Sequence, residues 1–169
     1  MGRSQPSVLP TLTTARSAHQ LTIPEAGRAY PVHLRATVTY YDPYVDPRRP
    51  ALFVSDSSGG IFVALSGFPP VPLKAGELVE VTGVSGAGDF APIVDHASAR
   101  KIGESRLPAT APHVSLTHML TGADDGQWVE VEGVVRSVSH TGENVALNLA
   151  LSDGYVGATT VRITRGAAW

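Results

Sequence analysis

Val32, Leu34, Ala36 and Val38 alternate along the chain with His33, Arg35, Thr37 and Thr39. Side chains of an extended backbone point to opposite faces in turn, so this two-residue period predicts a half-buried β-strand. Residues 51–55 and 61–65 read as a second and a third strand, joined by the turn residues Asp56-Ser57-Ser58-Gly59-Gly60. Residues 78–84 predict a fourth, with Val79 and Val81 turned to the core. Residues 90–94 and 97–102 predict a fifth strand, broken in the middle. Between the first and second strands lie Pro43, Pro47 and Pro50, which lack ladder donors and predict a loop. Five short strands with Gly-rich corners predict a small five-stranded Greek-key barrel of the OB type.

The pattern occurs twice. Tyr30-Pro31-Val32-His33-Leu34-Arg35-Ala36-Thr37-Val38 aligns with Gln127-Trp128-Val129-Glu130-Val131-Glu132-Gly133-Val134-Val135, a shift of 97 residues that carries Val32 onto Val129. The same shift carries Leu52-Phe53-Val54-Ser55-Asp56 onto Leu149-Ala150-Leu151-Ser152-Asp153. Repetition at constant spacing means two copies of one folding unit. Strands are therefore expected at 129–138, 145–152 and 156–163. Each copy is preceded by helix signals. Residues 16–21 read as a short helix, Thr22 caps a second with Pro24 and Glu25 in its first turn and Gly27 at its end, and Ser115 caps a third that stops before Gly122. The counterpart of Leu78 would fall at 175, past Trp169, so the second copy is expected to lack two strands and to leave strand edges open. The expected division is a leader over 1–14, an OB-like barrel over 15–104, a linker over 105–113, and a helix with an incomplete second OB-like unit over 114–169.

Composition narrows the chemistry. A hydrophobic content of 43% against 17% charged residues suits a packed core. The formal net charge of −2 argues against general affinity for nucleic acid, which rests on neutralising phosphates. With no cysteine in the chain, disulfides, thiolate metal sites and cysteine nucleophiles are excluded. No run approaches the roughly 20 apolar residues of a membrane span, and the first residues hold no signal-peptide core. A signal or anchor is expected only in segments outside this chain.

Several stretches together carry a family resemblance: Tyr40-Tyr41-Asp42-Pro43, residues 52–63, residues 76–83, Gly88-Asp89-Phe90-Ala91-Pro92 and residues 125–135. In that order they resemble the tandem OB-like modules in the N-terminal, extracytoplasmic part of some bacterial sensor histidine kinases, over roughly residues 14–155. The resemblance implies a non-catalytic sensor or interaction module, periplasmic if part of such a sensor, that binds a small ligand or a protein partner. A homodimer is compatible with that reading, and cytoplasmic placement stays open without a signal peptide. The resemblance carries over no catalytic residue and no cofactor. No phosphoacceptor His motif or ATP-binding glycine box is visible, so His19, His33, His96, His113, His118 and His140 receive no kinase role.

The sharpest functional constellation is a face on the second and third strands. Phe53 and Phe62 alternate with Leu52, Val54, Ile61 and Val63 and so point outward. Tyr40, Tyr41, Tyr44, Arg35, Arg48 and Arg49 are candidates to join them, as aromatic platforms and cations do in OB-type binders of single strands or oligosaccharides. That binder is the alternative function. The second copy argues against nucleic acid, since the fixed shift replaces Phe53 and Phe62 with Ala150 and Thr159, and His33 and Arg35 with Glu130 and Glu132.

Other constellations read as structure. Asp42, Asp46, Asp56 and Asp89 fit no calcium-loop spacing. Asp56 and Asp153 recur at hairpin turns, where Asp bonds nearby backbone. His113 and His118 are five apart and share no helical face, so no metal site is expected. Gly83-Val84-Ser85-Gly86-Ala87-Gly88 has Ala87 where a nucleophile elbow needs glycine. No catalytic residue is assigned.

Overall fold

The computed structural model describes residues 8–43, 50–67, 72–141 and 144–160. They form two compact units, one of residues 1–109 with 125–128, the other of residues 110–124 with 129–169.

The first unit is a closed barrel of five strands. Strands β1 (Pro31–Asp42), β2 (Ala51–Asp56), β3 (Gly59–Leu65), β4 (Glu77–Gly86) and β5 (Ile93–Glu104) follow one another around it in the order β1-β2-β3-β5-β4. The long β1 serves two neighbours. Its first half, from Pro31 to Thr37, pairs with β4, and its second half, from Thr37 to Asp42, pairs with β2. β3 and β5 close the ring in parallel through Val63↔Val94 and Leu65↔Ala97. The inward residues of the five strands form one core, in which Leu34, Val38, Leu52, Val54, Ile61, Val63, Val79, Val81 and Val94 are fully buried. The expected fifth strand is not broken: it passes His96, held at φ 49°, as an irregularity between two paired stretches. It begins at Ile93, so Phe90 and Ala91 lie in a loop instead of a strand.

One register irregularity changes which side chains face out. Val38 pairs with Val54, but Tyr40 pairs with Phe53, so Thr39 is an extra residue on β1. Because side chains alternate, a one-residue bulge inverts the faces beyond it. Strict alternation from Val32 would turn Tyr41 outward. The bulge sends it to the inner side, packed against the core, and gives the outer position to Tyr40.

Two short helices precede β1: α1 (Ala15–His19) and α2 (Ile23–Ala26). Both start on capping boxes, from Thr14 and Thr22, in which side chains satisfy amides that have no intrahelical partner. α1 presents Ala15 and Ala18 to the core, both with no exposure, so its backbone approaches the barrel closely. The β2–β3 turn clamps its start. Asp56 accepts from the Ala15 amide at 2.8 Å, Ser58 Oγ from the Arg16 amide at 3.0 Å, and the Ser58 carbonyl from Arg16 Nε at 2.9 Å. Residue Leu12, in the stretch expected as a leader, bridges to Val32 and packs on the core.

The second unit has helix α3 (Leu116–Met119) and strands β6 (Val134–Thr141), β7 (Asn144–Leu151) and β8 (Gly154–Thr160), in one antiparallel sheet of that order. The repeat is visible in its details. The β1 bulge between Val38 and Tyr40 recurs between Val135 and Ser137, the positions 97 residues on. The helix clamp recurs too: Asp153 accepts from the Leu116 amide at 3.3 Å and the Thr117 amide at 2.9 Å.

Two expectations for this unit are corrected. The strand expected from 129 starts at Val134, and of residues 129–133 only Glu130 makes a bridge, to His113. In the first unit the matching residues are those that β4 holds, and among the described residues the second unit has no counterpart of β4. The fixed shift also fails past the hairpin. Val54 pairs with Ile61 across six residues, whereas its counterpart Leu151 pairs with Gly154 across two. Ala150 therefore faces Tyr155, so the structural counterpart of Phe62 is Tyr155 and not Thr159. Among the described residues the second copy keeps Tyr155 on this face, and it is largely exposed.

Candidate functional site

On the outer face of the barrel, Phe53 and Phe62 are direct cross-strand partners. Their rings meet edge to face with centroids 5.1 Å apart, and Tyr40 meets Phe53 in the same manner at 5.9 Å. Such pairs stabilise by about 0.5–1.5 kcal/mol beyond the area they bury. Burial pushes the Tyr40 phenol up from its ordinary value, and the Asp42 carboxylate adds to the effect, so it stays protonated.

Beside these rings is a cleft of about 280 Å³. It is lined by the half-buried Phe53, Phe62, Ile93 and Asp125 and, at its rim, by the exposed Asp89 and Phe90. Phe90 is 85% exposed. The loop that presents it depends on Gly88, at φ +66°, where a Cβ would lie 2.0 Å from the Ala91 carbonyl oxygen. Only glycine meets both demands.

Asp125 reaches the cleft because residues 125–128 lie along the β2–β3 hairpin. The Gln127 side chain imitates a strand neighbour: its Oε1 accepts from the Gly60 amide and its Nε2 donates to the Gly60 carbonyl, both at 2.9 Å. His19 Nε2 donates to the Asp125 carbonyl at 2.8 Å, which requires the proton on that nitrogen. Gly60 has no room for a side chain, since a Cβ there would stand 2.3 Å from the Gly126 carbonyl oxygen.

The residues expected to share one face are thus separated. Tyr40, Phe53 and Phe62 come together. Tyr41 packs inward. Arg35 lines a different cleft, of about 450 Å³, with Thr37, Asp56, Ser57 and Arg106. Tyr44, Arg48 and Arg49 lie outside the described residues. Phe90, Ile93 and Asp125 were not anticipated at this site. Gly88-Asp89 followed by Pro92 was the available signal for Phe90, because Pro92 denies that stretch a regular ladder.

The remaining polar groups serve the scaffold. Glu80 accepts from Arg100 at 2.6 Å and faces His33 at 3.2 Å, and the Arg100 bond first of all holds its carboxyl below the usual range. His118 Nδ1 meets Asp124 at 2.6 Å. Among the described residues no three His, Cys, Asp or Glu side chains converge as a metal site would require.

No family model matches the chain, and no curated protein matches it. Three solved chains do. One, described as "Molecular basis for abrogation of activation of pro-inflammatory cytokines", covers 83% of this chain and 79% of its own at 8% identity, with a TM-score of 0.39. That likeness carries no argument.

Proposed function

We propose that this chain is a non-catalytic binding module, an OB-like input or interaction region of a bacterial signalling protein, whose ligand or partner occupies the cleft between Phe53, Phe62 and Phe90. One observation carries the reading: a phenylalanine 85% exposed stands at the rim of an aromatic cleft on a loop whose shape glycine alone permits. Backbone constraint that holds an apolar ring in water supports a role in recognition. The signalling context rests on the sequence resemblance alone.

The full chain, labelled with nitrogen-15, tests the cleft. A neutral aromatic fragment, phenylethanol, is expected to shift the amides of Gly88, Phe90 and Ile93, and Phe90→Ala to remove the response. Salt-sensitive micromolar binding of a thymidine oligonucleotide, lost in Phe53→Ala, would replace this reading with the nucleic-acid one. For the signalling half, the expected gene context joins this region to a membrane segment and a kinase core. A complete gene encoding neither refutes it.

A further inference from the structure

Among the described residues the charged lining of the cleft is acidic: Asp89 and Asp125 line it, and no described lysine or arginine does. Among the described residues no hydrogen bond or ion pair engages either carboxylate, in contrast to Asp56 and Asp153, whose oxygens hold helix amides. Phe53 and Phe62 both line the cleft, and Phe90 supplies a third ring. Ring faces carry negative charge density and attract cations, most strongly where water is excluded. Carboxylates make charge-assisted bonds with ammonium and guanidinium groups and repel carboxylates and phosphates. A volume of 280 Å³ lies just below the range of about 300–1,000 Å³ typical of small-molecule sites, room for one ring or short chain with a polar head.

We infer that the Phe53–Phe62–Phe90 cleft selects a small organic cation, an apolar or aromatic body bearing an ammonium or guanidinium group that lies between Asp89 and Asp125. The inference rests on the reading of this cleft as the binding site and adds the charge of its occupant. The rings hold the body and the two carboxylates hold the head. Anionic ligands of the same shape are disfavoured by the two carboxylates, which no cation among the described lining residues offsets.

Three isosteric probes test the charge: phenylethylammonium, phenylethanol and phenylacetate, titrated into the full chain while the Gly88, Phe90 and Asp125 amides are followed. The expected order is phenylethylammonium tightest, phenylethanol weaker, and phenylacetate without response. Asp89→Asn and Asp125→Asn should each weaken the ammonium probe by roughly three- to tenfold and leave phenylethanol unchanged. Raising salt to about 0.5 M should weaken it in the wild type and not in the double variant. Equal binding of phenylacetate and phenylethylammonium overturns the inference and leaves the cleft standing as a binding site. Failure of all three probes, with Phe90→Ala spectrally silent, overturns the underlying reading as well. An arginine-bearing tripeptide that binds tenfold tighter than phenylethylammonium overturns the assignment to a small organic cation.

Discussion

The clamp between the β2–β3 turn and α1 makes a quantitative prediction for Asp56→Ala. The carboxylate accepts from the Ala15 amide at 2.8 Å and from the Ser58 amide at 2.7 Å. Ala15 has no exposed surface, so without Asp56 its amide is a buried donor with no partner and little access to water. Leaving such a group unsatisfied costs about 1–3 kcal/mol. The Ser58 amide, half-buried, is partly rehydrated, which adds about 0.5–1 kcal/mol. The expected loss is about 1.5–4 kcal/mol, a large part of the roughly 5–15 kcal/mol that holds a domain of this size together. With a urea slope of about 2 kcal/mol/M, the midpoint falls by roughly 0.75–2 M. Asp56→Asn keeps one carbonyl acceptor and should lose about half as much. Trp128 fluorescence can follow unfolding of the first unit, and hydrogen exchange at Ala15 and Arg16 locates the loss. A change under about 0.5 kcal/mol, with Ala15 as protected as before, refutes the argument that this carboxylate fixes the helix.

Other predictions concern charge and close approach. Asp153, Glu77 and Glu80 titrate below their ordinary values in the folded chain, Asp153 chiefly through the Thr117 amide, Glu77 through Lys101 and Glu80 through Arg100. The unfolded chain therefore binds more protons in acid, so their contribution is present above about pH 4–5 and is lost as pH falls through the folded values. Lys101, raised by its bonds to Glu104 and Glu77, contributes fully below its ordinary value of about 10.4 and loses that contribution as pH rises through its folded value. Thermal melts should thus be flat between about pH 6 and 9, and a midpoint that rises below pH 4 contradicts the assignment. Glu77 accepts from the Lys74 amide at 2.9 Å and from Lys101 Nζ at 2.7 Å. Glu77→Gln, which keeps the turn bond, should lower the melting temperature less than Glu77→Ala, and equal drops count against the turn bond. Gly60→Ala should expel residues 125–128 from the hairpin, with the loss of two amide bonds of about 1 kcal/mol each. Fast exchange at the Gly60 amide and a shifted Trp128 emission are the expected signs, and an unchanged spectrum refutes the contact.

What the sequence determined by itself is the set of strands and the existence of two copies. Period-two alternation is local: Val32, Leu34, Ala36 and Val38 need only an extended backbone to share a face. Caps at Thr22 and Ser115, and the turns between strands, are written in residues three or four apart. The repeat placed Asp56 and Asp153 in equivalent positions, though not their hold on helix amides some forty residues earlier in the chain. The candidate site was legible only in Phe53 and Phe62, which are direct neighbours across one hairpin. The tertiary structure decided the rest, because it depends on partners distant in sequence. The bulge at Thr39 turned Tyr41 inward, since register is set by pairing with β2 and not by the β1 sequence. β6 began at Val134 because, among the described residues, no named strand pairs with the residues before it, which have only the Glu130–His113 bridge. Asp125 joined Phe90 in one cleft because Gln127 found the backbone of Gly60, 67 residues earlier. Alternation and capping report what a residue does with its near neighbours; a cleft is made by groups that meet only when the chain has closed.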